Sequence, residues 1–251
     1  VRLVFQPGEE IGKGAKPFVA AGVLDGAERV FGLHTAYDLE AGTVGLQPGI
    51  NNAAVDHFRI RVHGKSTHVS TPHLGVDALY IASQIVVSVQ GLVTRRTSPT
   101  EPVIIGIGKL NAGTTYNAVA AFAEMEGTTR TISQESRDRV RAQVSETAQS
   151  IAALYGGTAE IEWTDFAAAL VNDPQVCEEA ARVVDELLGA GHVVTDRELS
   201  LSGDNFAEFE LYKPGAYAYL GTGNPDLPHT MITNHNGGFD VDENALVTGA
   251  G

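Results

Sequence analysis

Two adjacent carboxylates, Glu9 and Glu10, follow the apolar run VRLVF in the stretch VFQPGEEIGKG, and His34 closes the next apolar run, VFGLH. A carboxylate pair and an imidazole at strand ends have the chemistry of a metal hydrolase. Neighbouring side chains point in different directions there. One carboxylate can stay ionised as a ligand while the other takes up and releases a proton. In open α/β sheets such groups collect outside the carboxyl ends of the strands. The same pair also suits a solvated turn, and a lone histidine a loop. Other signals are weaker. HGKST (His63 to Thr67) resembles the tail of a phosphate-binding loop, but Arg59 stands where that pattern needs a glycine, so nucleotide binding is not expected. No GxSxG elbow occurs. Cys177 lies in a helical pattern and reads as a small buried residue.

The elements that must position these groups fall into three zones. VRLVF, GAKPFVAAGVL and ERVFGLH read as strand, helix and strand, with the apolar strands of a parallel α/β sheet. From about residue 54 the rhythm changes. In DHFRIRVHG, Phe58, Ile60 and Val62 alternate with His57, Arg59, Arg61 and His63, the pattern of a strand with one wet face. A long helix over 76–95, the strands PVIIGIGKLNAG and AFAEMEGTTRTI, a second helix and the strand TAEIEWTD follow. Ser133 is the expected N-cap of that second helix, and Val140, Val144, Thr147, Ile151 and Leu154 its expected apolar stripe. The order β-α-β-β-α-β is the ferredoxin-like one, with helices on one face of an antiparallel sheet. Beyond residue 165, VCEEAARVVDELLGAG, DNFAEFEL and GAYAYLG return to helix and strand of α/β type. The expectation is one α/β domain, 1–53 and 166–251, interrupted by an α+β domain, 54–165.

Composition excludes several classes. The formal charge of -14 argues against nucleic acid, which needs a basic surface. No run of about 18 apolar residues exists, so no membrane partner is expected. A single cysteine excludes an internal disulfide and suits a reducing, cytoplasmic setting. VRLVFQ has no initiator Met and begins inside a strand-like run, which suggests a piece of a longer protein.

FQPGEE, GLHTAYDLEAGTVGLQPG, GKSTHVSTPHLGVDAL, NAGTTYNAVA, EGTTRT, FAEFELYKPGAYAYLG and HNGGFDVDENAL stand in the order and spacing of one family. Together they resemble the M20-type metallopeptidase/amidohydrolase family, and within it the aminoacylase-like branch of N-acyl-amino-acid, hippurate and auxin-conjugate hydrolases. The resemblance implies a zinc-exopeptidase-like catalytic domain carrying a ferredoxin-like lid and dimerisation domain. It implies two divalent ions, of Zn, Mn, Co or Ni. By the same resemblance, Glu9 matches the general base, and Glu10, His34 and His235 match metal ligands. His68, with His73 as a rival, matches a histidine that reaches a partner subunit's site and supports the oxyanion. Asn117 and Arg130 match residues that hold a substrate carboxylate; a surface ion pair of Arg130 with Glu124 or Glu126 is the other reading. His57, His63, His192 and His229 receive no role.

The implied activity is hydrolysis of the amide bond of an N-acyl amino acid by a homodimer. The alternatives are a dipeptidase or carboxypeptidase, or an inactive dimerisation or binding module. The third arises because the family's first ligands, in a CGHD-like motif, precede its EE pair and have no counterpart here; a chain starting at Val1 is expected to bind metal weakly and to be inactive. SGDNF, STHVS and HNGGFD stand where relatives often read GGEDF, GGHAA and HSPRFD, which bears on the substrate pocket more than on the metals.

Overall fold

The computed structural model describes residues 1–251, and the chain divides into two compact units. One comprises Val1–Asn52, Leu170–Ser200 and Asp204–Gly251; the other comprises Ala53–Ala169 with Leu201–Gly203. In chain order the strands are β1 (Val30–Glu40), β2 (Val44–Gly45), β3 (Gly49–Asn52), β4 (Ala54–His63), β5 (Ile104–Ala112), β6 (Phe122–Thr131), β7 (Thr158–Ala167), β8 (Leu170–Asn172), β9 (Val193–Val194) and β10 (Gly215–Gly223). The helices are α1 (Ala15–Ala20), α2 (Ala78–Arg96), α3 (Gln134–Leu154), α4 (Pro174–Leu188), α5 (Ala207–Glu210) and α6 (Asn244–Ala250). None is long and apolar enough to cross a membrane.

The first unit is built on a mixed sheet in the order β1-β10-β2-β9. Every β10 residue except Tyr219 is buried, so the strand is covered on both faces. β1 runs parallel to it, with His34 opposite Tyr219. Helix α4 starts where the Asp173 carboxylate accepts from the N–H groups of Gln175 and Val176, at 2.9 and 3.0 Å, with Pro174 in the first turn. It buries Val176 and Cys177 against Val44, Leu46, Ala216 and Ala218.

Four expectations need correction here. VRLVF is not a strand: it pairs with no neighbour, and Leu3 and Phe5 stay 76% and 86% exposed. An apolar run becomes a strand only where a partner takes up its backbone groups. The helix over GAKPFVAAGVL stops at Ala20, because the chain turns at Gly22 with φ 80°. The strand over VFGLH continues to Glu40, so His34 stands mid-strand rather than at a strand end. The sheet is also mixed: β2 runs antiparallel to β10.

The second unit carries an antiparallel sheet in the order β5-β6-β4-β7. α2 and α3 pack against one face of it, around Phe58, Ile60, Val62, Ile81, Ile85, Met125 and Val144. Gly127 lies opposite Phe58; a β-carbon there would come within 2.3 Å of the ring, so glycine makes the room that the aromatic fills. The wet face of β4 meets acids on both sides. Arg61 Nε lies 3.0 Å from Glu124 and its Nη1 3.3 Å from Glu162, while Arg59 faces Glu126 and Glu162 in register.

Ser133 caps α3, accepting from Ser136 N–H at 3.1 Å. The buried stripe of α3 is Val140, Val144, Ala148 and Ala152, and Leu154 is 74% exposed. The buried line follows every fourth residue, an i±4 ridge, instead of averaging 3.5. Beneath it Arg137 Nε donates to both oxygens of Asp56 on β4, at 3.1 and 3.0 Å, with both side chains buried.

Candidate functional site

Glu9 and Glu10 lie on a single 3-10 turn, Glu9–Ile11, bracketed by Gly8 and Gly12 in the left-handed region at φ 72° and 65°. Two such glycines reverse the chain tightly, at a conformation a side chain would strain. The turn splits the pair: Glu9 is half-buried and Glu10 exposed. Burial is the main cause that raises the Glu9 pKa above the ordinary carboxylate value. The charges of Asp204 and Glu10 add to it, and a hydrogen bond from the Asn205 backbone N–H and the nearby His34 oppose it. A carboxylate so placed is a better proton acceptor than a solvated one.

Glu10 meets the other end of the chain. His235 Nε2 lies 3.6 Å from Glu10 Oε2. His235 is also the chain's only residue other than glycine with positive φ, 62°. Strained backbone of this kind persists where the surroundings demand it, and functional sites are common among such places. His34 is half-buried on β1, and its ring centroid lies 6.2 Å from that of Tyr217 and 6.1 Å from that of Tyr219. Its Nδ1 is 2.7 Å from the Thr35 carbonyl oxygen, so Nδ1 carries the proton and Nε2 is left as the acceptor a metal takes.

One carboxylate and two imidazoles suit a divalent cation in kind. In number the set is partial: Glu10 and His235 face each other, His34 is not gathered with them, and no three of the His, Cys, Asp and Glu side chains come close enough to hold a metal ion.

The remaining candidates lie in the second unit. The segments of His68 and Asn117 run side by side: His68 bridges to Ala118, and Val69 N–H donates to the Asn117 carbonyl at 3.0 Å. Ser70 N–H donates to His68 Nδ1 at 3.2 Å, and the Ser70 hydroxyl is 2.7 Å from the same nitrogen. An imidazole that accepts at Nδ1 carries its proton on Nε2, so His68 presents a donor. The Asn117 side-chain oxygen accepts from the Thr115 hydroxyl at 3.2 Å. His73 lies in a 3-10 turn, Pro72–Leu74, and the cap of α2 is Asp77. Arg130, on β6, is half-buried; its backbone is paired in the sheet, but its guanidinium makes no ion pair or hydrogen bond. Glu124 is held by Arg61 at 3.0 Å and Glu126 by Lys109 at 2.7 Å, so the surface ion pair is not formed. Burial lowers the Arg130 pKa.

The sequence also holds neighbours of Glu9 that spacing alone did not single out. Asp204 and Asn205 stood out only as a departure in SGDNF. Asp204 accepts from the Tyr217 hydroxyl and, at 2.7 Å, from Phe206 N–H. Tyr217 and Tyr219, two apart on β10, share a face, which strand alternation makes legible.

The model of peptidase family M20/M25/M40 matches residues 1–251. The chain is 36% identical over 247 residues to an N-acetyl-L-cysteine deacetylase of Bacillus subtilis, covering 98% of this chain and 57% of that protein. It is 35% identical over 253 residues to thermostable carboxypeptidase 1 of Saccharolobus solfataricus, covering 100% of this chain and 63% of that one. Among solved structures, the Bacillus subtilis YXEP protein, described as a dinuclear metal-binding peptidase, superposes with a TM-score of 0.79 at 32% identity, over 97% of this chain and 60% of that one. This chain thus spans about three fifths of the length of these relatives. With the whole of its sequence matched and its mixed α/β architecture shared with these structures, the chain belongs to peptidase family M20/M25/M40.

Proposed function

We propose that the protein containing this chain is a metal-dependent amidohydrolase that cleaves the amide bond of N-acyl amino acids. The observation that carries the reading is Glu9, a half-buried carboxylate with raised proton affinity, beside the Glu10–His235 pair in a family of hydrolases. We assign Glu10, His34 and His235 as ligands; two divalent ions fit the description of the dinuclear relative. Ions held there would supply Lewis-acid polarisation of the acyl carbonyl and a water acidic enough to ionise near neutral pH. Glu9 takes the proton of the attacking water and passes it to the leaving amine. The Nε2–H of His68 hydrogen-bonds the carbonyl oxygen as it gains charge. Arg130, a cation without a partner, holds the amino acid's carboxylate through two parallel hydrogen bonds, with Asn117 beside it.

Further assignments complete the reading. The second unit acts as lid and dimerisation domain, and His68 serves the site of a partner subunit. Exposed Leu79, Tyr80 and Val87 on α2, the last 70% exposed, support a homodimer surface there. The single cysteine supports a cytoplasmic setting.

A carboxypeptidase is the second reading, favoured by a carboxypeptidase relative as similar as the deacetylase. Both substrates carry the carboxylate that Arg130 would bind. The test is amine release from a panel of N-acyl amino acids and dipeptides by the full-length protein, with metal content measured alongside. Glu9→Gln is expected to lower kcat by roughly 10²–10⁴-fold with metal content unchanged, and Glu10→Ala to lower metal content. Full turnover in Glu9→Gln would sink the assignment of the base; faster turnover of dipeptides would favour the second reading.

A further inference from the structure

The turn that carries Glu9 has little of its own to hold it. It is three residues long, has no side-chain cap and is bracketed by two left-handed glycines. The run before it pairs with no strand. A base must nevertheless be held to a fraction of an ångström, because small displacements cost rate steeply. Something outside the turn has to fix it.

The observations converge on Asn205. Its backbone N–H donates to the Glu9 carboxylate. Its side-chain oxygen accepts from Gln6 Nε2, three residues before Glu9, at 2.7 Å. Asn205 is therefore bonded both to the base and to the segment leading into it. Asn205 itself is firmly seated. It is 1% exposed, and its carbonyl accepts from Glu208 N–H at 3.0 Å in the first turn of α5. The preceding residue, Asp204, is bonded to the Tyr217 hydroxyl on β10. Gln6 is held as well: a β-carbon on Gly14 would stand 2.6 Å from Gln6 Cγ and 2.0 Å from the Pro7 carbonyl oxygen, so the chain folds back tightly over it. Asn205 Nδ2, the other end of the amide, is buried without an acceptor.

We propose that Gln6 and Asn205 are positioning residues that clamp the Glu9 carboxylate to β10 through Asp204 and Tyr217. The proposal rests on Glu9 being the base and adds how it is held. The amide pair is suited to this task. A hydrogen bond between two neutral amides brings no charge near a carboxylate whose ionisation already meets Asp204 and Glu10. The unused Nδ2 also gives a prediction particular to the clamp. A carboxylate at position 6 is still bridged if the Asn205 amide turns over and donates from Nδ2. A methyl group at position 6 is not.

The experiment uses full-length protein with Gln6→Ala, Gln6→Glu, Asn205→Ala, the double alanine variant and Glu9→Gln. Amide hydrogen exchange of the segment around residues 8–12 is read alongside kcat, KM and thermal melts. Gln6→Ala is expected to speed exchange of that segment and to lower kcat about tenfold, the scale of one lost 1.4 kcal/mol interaction, with KM and melting temperature near wild type. Gln6→Glu is expected to restore slow exchange of the segment, and the double alanine variant to lose no more than the worse single one. Unchanged exchange in Gln6→Ala overturns the clamp whether or not a substrate has been found. So does a variant that loses stability and KM along with kcat, or additive losses in the double variant, or failure of glutamate to restore the exchange protection that alanine lost. The reading beneath fails separately: if Glu9→Gln keeps wild-type kcat, Glu9 is not the base, although the exchange result can still show that the turn is clamped.

Discussion

Glu210 shows how much one carboxyl can depend on its surroundings. One of its oxygens accepts from Val171 N–H at 3.0 Å, and the other is buried with no partner. Burial, then repulsion from Asp204 and Asp173, pushes its pKa up to about 7 from an ordinary 4.5. The folded state therefore keeps a proton that the unfolded chain releases. The group's contribution is whole below its unfolded pKa and is lost as pH rises through about 7. Thermal melts from pH 5 to 8 are expected to show a falling melting temperature whose slope is shallower in Glu210→Gln; equal slopes would remove the argument. Single residues were unevenly legible in the sequence. The Ser133 cap could be read because capping is local chemistry. That Arg130 lacks a partner could not, because it depends on Glu124 and Glu126 being engaged by cations from β4 and β5. The facing of Glu10 and His235 joins opposite ends of the chain, and ordered motifs pointed to it where local periodicity was silent.

At the scale of elements, the seam between α3 and β4 rests on Asp56 and Arg137, 1% and 6% exposed. Taking one charge from such a buried pair leaves the other with a more distant and more exposed counter-charge, Asp165 at 3.7 Å from Arg137 or Arg141 at 3.8 Å from Asp56. Asp56→Ala is expected to cost about 3–5 kcal/mol in urea denaturation, whereas replacing both with apolar residues of similar volume costs far less. A double variant as unstable as the single one would show that shape rather than charge holds the seam. Strands were legible where one face is wet, as in β4, because alternation then marks both faces. VRLVF misled because it has strand composition and no neighbour, and β1 was read short because polar Thr35 ends an apolar run that the parallel ladder with β10 carries on to Ala36 and, past an irregularity, resumes at Glu40. Composition reports propensity; a ladder needs a partner from far along the chain.

At the scale of the molecule, the second unit has a core wholly its own, from Phe58 to Ala152, with contributions from three strands and both long helices. Residues 53–169 expressed alone are expected to unfold in one cooperative transition by circular dichroism; a featureless melt would mean that this core does not suffice. The α/β class and the β-α-β-β-α-β order were open to reading, since helical and strand periods alternate cleanly there. The mixed direction of the other sheet was not, because β2 and β9 are two residues each and carry no period. The comb of charge on β4 has a further meaning. Arginines 59 and 61 find glutamates directly opposite on both flanking strands, at 126 and 124 on one side and 162 and 160 on the other. Slide either neighbour by two residues and the greasy side still faces inward, yet at least one arginine loses its opposite number. Hydrophobic alternation alone accepts several alignments of these ribbons; the electrostatic teeth accept one, so correct assembly is proofread on the side of the sheet that water sees.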